Sequence, residues 1–142
     1  MKKLQKLIRE QLGKELVVDG KECFIVSVYP SRKPEWVMLK DELGINISWD
    51  DAINLKLPEG WKIPSKKEFE EFGKNIAFLR NSEDSNFSTD TFGFYLWSSS
   101  KFSGYFAWYL NTSDGNLDYY RKDGHDIDLR VHAFKKLPSN NV

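Results

Sequence analysis

The sequence predicts an α+β protein in which two central helices pack on an antiparallel sheet, preceded by an N-terminal helix and a β-hairpin. Three observations lead there. Apolar residues recur at helical spacing at Phe69, Phe72, Ile76 and Leu79, the apolar period changes to two from Tyr95 onward, and Asp-Gly pairs stand at 19–20, 114–115 and 123–124.

Leu4, Leu7, Ile8 and Leu12 share one helical face, and Gly13 ends that segment. The β-rich runs Glu15 to Val18 and Cys23 to Tyr29 flank Asp19-Gly20 and read as a hairpin. Pro30 and Pro34 frame a loop before a strand at Trp36 to Leu39. Ser48-Trp49-Asp50-Asp51 has the form of a capping box, and its helix is expected to run through Ala52, Ile53 and Leu55 until Pro58 and Gly60 close it. Ser65-Lys66-Lys67-Glu68 is a second capping box and opens the Phe69–Leu79 helix. The stretch from Arg80 to Thr91 turns to Ser, Asn, Asp and Glu, the composition of an exposed loop. Four strands follow, at Tyr95 to Ser99, Tyr105 to Leu110, Leu117 to Arg121 and Asp128 to Phe134, with Phe106, Trp108 and Leu110 on one face.

A length of 142 residues suits one domain, 1–142, and no repeat or linker divides it. Lys plus Arg and Asp plus Glu are 21 each, so the net charge is zero and the basic excess typical of nucleic-acid binding is missing. Neither a secretory leader nor a membrane-length apolar run is recognised, so no membrane partner is expected and the chain reads as cytoplasmic. Aromatic residues make up 15% of the chain, and filling the core is their first use.

Chemistry-bearing patterns are sparse. The lone Cys23 sits in an apolar run, which reads as a buried thiol and excludes an internal disulfide. His132 falls on a strand and reads as structural; His125 follows a turn and is the histidine to weigh as a ligand. Ser98-Ser99-Ser100 lacks the glycine elbow of a hydrolase, so its hydroxyls are expected to bond to nearby backbone. Glu83, Asp84 and Asp90 offer oxygens to Ca²⁺, but their spacing matches no EF-hand and a solvated loop is the preferred reading. No metal, no cofactor and no enzyme activity are therefore expected.

Several motifs occur together in order: Ser48-Trp49-Asp50-Asp51-Ala52, Gly60-Trp61-Lys62-Ile63-Pro64-Ser65-Lys66-Lys67-Glu68-Phe69, Leu96-Trp97-Ser98-Ser99-Ser100, Ala107-Trp108-Tyr109-Leu110, Asp114-Gly115 and Leu129-Arg130-Val131. This series resembles the bacterial C-type-lectin-like families known as the DUF1566 or Lcl-type domain and the Fibrobacter succinogenes major paralogous domain. The resemblance covers 47–137, leaving 1–46 as an added helix and strands. It departs at Lys62-Ile63, where Arg-Leu is usual, at Phe69 for Trp, and in the closing Arg130-Val131-His132.

The resemblance implies a C-type-lectin-like scaffold with Trp61, Trp97 and Trp108 as core rings, and it transfers no active site. Formylglycine-generating enzymes of this fold type need paired cysteines, and calcium-dependent lectins carry Glu-Pro-Asn or Gln-Pro-Asp with Trp-Asn-Asp; neither pattern is present. Partners of such folds meet the loops and exposed sheet face of the C-terminal half. That implies Tyr119, Tyr120, Arg121 and His125, with Asn86 and Asp90 from the polar loop, as ligand-binding residues. The expected function is a non-catalytic module binding a protein or a glycan. The alternatives are an assembly subunit of a phage or surface particle, docked through its N-terminal elements, and an enzyme of unknown class.

Overall fold

A computed structural model describes residues 10–82, 95–124 and 127–139. The expected N-terminal helix falls almost wholly outside them. So does the polar loop with Glu83, Asp84, Asn86 and Asp90, and so does His125.

The hairpin forms as the Asp-Gly turn requires: β1 (Glu15–Val18) pairs antiparallel with β2 (Lys21–Val28), and both turn residues have positive φ, 55° at Asp19 and 77° at Gly20. β2 continues into β3 (Pro34–Leu39), which pairs with β9 (Phe134–Lys136), giving a first sheet of order β1-β2-β3-β9. The second sheet has order β4-β8-β5-β6-β7, from β4 (Gly44–Ile45), β5 (Tyr95–Lys101), β6 (Phe106–Asn111), β7 (Leu117–Arg121) and β8 (Leu129–Val131). It is mixed, because β8 runs parallel to β5.

The run from Asp128 to Phe134, expected as one strand, is two. Leu129 and Val131 pack in the core of the second sheet, whereas Phe134 packs in that of the first. Adjacent buried residues Ala133 and Phe134 break the alternation, and the chain changes sheets there. β3–β4 makes the same crossing alongside. Leu39 N–H donates to the Ala133 carbonyl at 2.9 Å and Leu43 N–H to the Val131 carbonyl at 2.7 Å, so an antiparallel ribbon joins the sheets.

Helix α1 (Trp49–Ile53) starts where Ser48 Oγ accepts from Asp51 N–H at 3.2 Å. It ends short of the expected Leu55 because the Asn54 side chain donates to the Asp50 carbonyl at 2.8 Å and caps it. Helix α2 (Lys66–Asn81) opens with the full capping box: Ser65 Oγ accepts from Glu68 N–H, and the Glu68 carboxylate accepts from Ser65 N–H.

The two helices do not share one sheet face. α2 lies between the sheets, and Phe69, Phe72, Ile76 and Leu79 meet Phe24, Val26, Trp36, Met38 and Phe134 of the first and Leu96 and Leu110 of the second. Trp49 and Ala52 of α1 pack with Trp97, Ala107, Leu129 and Val131 on the opposite face of the second sheet. Pairing explains the division, since Leu96 opposes Leu110 on one face while Trp97 opposes Tyr109 on the other. A third cluster, with Cys23, Ile25, Val37 and Trp61, covers the outer face of the first sheet.

Candidate aromatic recognition face

α2 begins at Lys66 and covers only part of the second sheet. Leu110 and Leu117 lie beneath it, while Phe106, Trp108 and Tyr119, on the same sheet face by alternation, continue toward its N-terminal end. Trp108 and Tyr119 are directly paired across β6 and β7. The β5–β6 turn brings in Phe102, whose N–H donates to the Phe106 carbonyl at 2.8 Å.

The rings form one cluster. Phe102 stacks on Tyr119 with centroids 4.2 Å apart and planes 4° apart. Trp108 stands nearly perpendicular to both, at 86° to Phe102 and 83° to Tyr119. Phe106 meets Tyr119 edge-on at 5.6 Å. Phe102 is 49% exposed and Tyr119 43%. The Lys66 ammonium lies 4.6 Å from the Trp108 ring centre, a cation–π contact.

Beside Trp108 a groove of about 450 Å³ runs along α2, lined by Lys66, Glu70, Lys74, Gly115, Asn116 and Leu117. Lys66 pairs with Glu70 at 2.9 Å. Lys74 instead donates to the Asp114 carbonyl at 3.0 Å and to Asn116 Oδ1, so its charge meets no carboxylate among the described residues.

Trp108 is thus half-buried within an exposed cluster and is not the core ring that the motif implied, whereas Trp61 and Trp97 are core rings as expected. Tyr119 joins the cluster. Tyr120 turns to the opposite face, where its ring packs against the Trp49–Trp97 core and closely against Gly124. Arg121 lies over Tyr120, 5.4 Å from its ring centre. The structure therefore divides Tyr119 from Tyr120, as strand alternation demands; Asn86, Asp90 and His125 lie outside the described residues.

Phe102 and Trp108 are additions to the expected surface. A signal for Phe102 was present: a ring in Lys101-Phe102-Ser103-Gly104 sits in turn-like composition, where a core position is unusual.

Reactive groups elsewhere are engaged structurally. Ser98 Oγ donates to the Trp108 carbonyl at 2.7 Å, and Ser100 Oγ accepts from Lys66 N–H at 2.9 Å, so the serine run ties β5 to β6 and to the start of α2. His132 is buried with Nδ1 2.8 Å from the Leu39 carbonyl, which assigns a proton to Nδ1. Burial pushes the Cys23 thiol up to about 11. A second hollow, about 570 Å³, is lined by Asp50, Asp51 and Asp123 near Ser48. The described residues hold no group of three or more His, Cys, Asp or Glu placed for a metal ion, and no helix among them is long and apolar enough to cross a membrane.

Comparison with protein-family models finds none that matches this chain, and comparison with curated proteins finds no match.

Proposed function

We propose that this chain is a non-catalytic binding module on a C-type-lectin-like scaffold, and that it recognises its partner through the aromatic face around Tyr119. The observation that carries the reading is the cluster of Phe102, Trp108 and Tyr119, rings in mutual contact of which Phe102 and Tyr119 stand open to solvent. Exposing such area in water is unfavourable, and contiguous exposed apolar surface of this kind marks interaction sites. Tyr and Trp combine a large contact area with a polar handle and few rotatable bonds. Support for a non-catalytic role comes from the buried Cys23 and His132 and from the backbone duties of Ser98 and Ser100. Support for the scaffold is the ordered motif series, with its capped helix behind Pro64 and its buried Trp61 and Trp97.

The test is a glycan-array and pull-down screen with the wild type, repeated with Phe102→Ala and Tyr119→Ala. Loss of one of these rings should weaken capture of an identified partner by roughly tenfold or more, with the far-UV circular dichroism unchanged. Full retention of that partner by both variants would place recognition elsewhere.

A further inference from the structure

We propose that the groove between α2 and the β6–β7 turn binds a small organic carboxylate, with its apolar body against Trp108 and Leu117 and its anion on the Lys74 ammonium. The groove adjoins the aromatic face, and the inference goes beyond that reading because Lys74 and Asn116, not Phe102 and Tyr119, define the ligand.

Shape is the first argument. At about 450 Å³ the groove has the volume of a small-molecule site. Trp108 and Leu117 supply an apolar wall from the sheet, and α2 supplies a polar one, with Lys66, Glu70 and Lys74 one turn apart. Apolar lining with a few placed polar groups is the usual make-up of such sites.

Charge decides the class of ligand. Lys66 is neutralised by Glu70 at 2.9 Å. Lys74 is held by neutral acceptors instead, donating to the Asp114 carbonyl at 3.0 Å and to Asn116 Oδ1. The Asp114 carboxylate accepts from the Asn116 N–H at 2.8 Å and makes no ion pair with Lys74. Asp118, paired with Tyr109, belongs to the opposite sheet face. An ammonium has three protons to donate, and the third on Lys74 meets no acceptor among the described residues.

That ammonium is also held in place. The turn presses on the helix so closely that a Cβ on Gly115 would lie 2.9 Å from Lys74 Cα, and the two hydrogen bonds then fix the side chain over the groove. A cation positioned before its ligand arrives loses less freedom on binding. A cationic ligand would find only Glu70, which is already paired. Nucleic acid needs several phosphates neutralised together, and one unpaired ammonium does not supply that.

The experiment is an amide and indole NMR titration of the full chain with phenylacetate. Phenylacetamide, of the same shape without the charge, and benzylammonium, of opposite charge, are the comparisons. Phenylacetate alone should shift the Trp108 indole and Gly115 amide signals saturably, with a Kd of about 1 mM. Lys74→Gln should weaken it roughly fivefold and abolish the preference for carboxylate over amide, whereas Lys74→Arg should keep that preference. Lys67→Gln, exposed on the same helix outside the groove, makes the same change in net charge and should leave the affinity unaltered. Equal binding of phenylacetamide, wild-type affinity in Lys74→Gln, equal weakening by Lys67→Gln, or no saturable shift at Trp108 and Gly115 would each overturn the proposal. Phenylacetate binding that survives in Tyr119→Ala, while an identified partner is lost, supports the groove as a site of its own. Failure in the groove leaves the aromatic face to its own test at Phe102 and Tyr119.

Discussion

At the residue scale, Glu68 shows how one carboxylate ties a helix start to its surroundings. Burial alone raises its pKa, but the Lys62 ammonium 2.9 Å away and the Ser65 N–H outweigh that, and the net shift is below the ordinary 4.5. A lowered folded-state pKa contributes stability that is full above the unfolded value and is lost as pH falls through the folded one. Glu68→Gln should therefore lower the urea midpoint near pH 7, by an amount worth under about 1 kcal/mol for so exposed a pair. The gap to the wild type should close as pH falls below about 4; a gap that stays constant to pH 3 would remove the carboxylate from the account. Cys23 behaves oppositely. With its thiol pushed up to about 11 by burial, it should resist a thiol reagent at neutral pH until the protein unfolds, and rapid labelling of the native state would contradict the burial. Both residues were legible in the sequence, Glu68 as the third position of a capping box and Cys23 inside an apolar run. Trp108 was not, because a one-dimensional motif does not say how far along a sheet a helix reaches.

At the scale of elements, the docking of α2 depends on two glycines, of which the sequence singles out only Gly115, in its Asp-Gly turn. A Cβ on Gly73 would come within 2.7 Å of Leu110 Cδ1 and 3.2 Å of the Gly115 carbonyl. At Gly115, φ is 76° and a Cβ would lie 2.9 Å from Lys74 Cα. Inside an exposed helix, Gly to Ala stabilises by about 1 kcal/mol; here the sign should reverse. Gly73→Ala is expected to lower the thermal midpoint, because α2 must lift from the β6–β7 turn or Leu110 must leave its rotamer. Gly115→Ala should cost more, since left-handed backbone strain of about 1–2 kcal/mol adds to a backbone clash. An unchanged or raised midpoint in Gly73→Ala would mean that the contact is looser than these distances indicate. Local signals did place most elements: the turns, the Ser65 cap and the period-two strands are all chosen by near neighbours in sequence. The division of β8 from β9 escaped that reading. Sheet membership is fixed by pairings with β3, β4 and β5, far away along the chain, and Leu129, Val131 and Ala133 look like one alternating strand until those partners are known.

At the scale of the whole molecule, α2 is the shared centre of two sheets, and this predicts how the protein unfolds. The Phe72 ring touches Trp36 at 5.1 Å, Phe69 at 5.6 Å and Phe134 at 5.4 Å. It thereby links β3 and β9 of the first sheet to a helix that also packs on Leu96 and Leu110 of the second. The ribbon through His132, with its imidazole bonded to the Leu39 carbonyl, fastens the sheets a second time. Neither sheet therefore keeps its core if the other is lost. Phe72→Ala should destabilise by about 3–5 kcal/mol, and hydrogen exchange at Val37 of β3 and Leu110 of β6 should report the same loss, because both open only in global unfolding. A variant in which Val37 exchanges faster while Leu110 keeps its wild-type protection would show two independently folding halves. In that event the first sheet would be an accessory layer, and the aromatic face on the second would fold and bind without it.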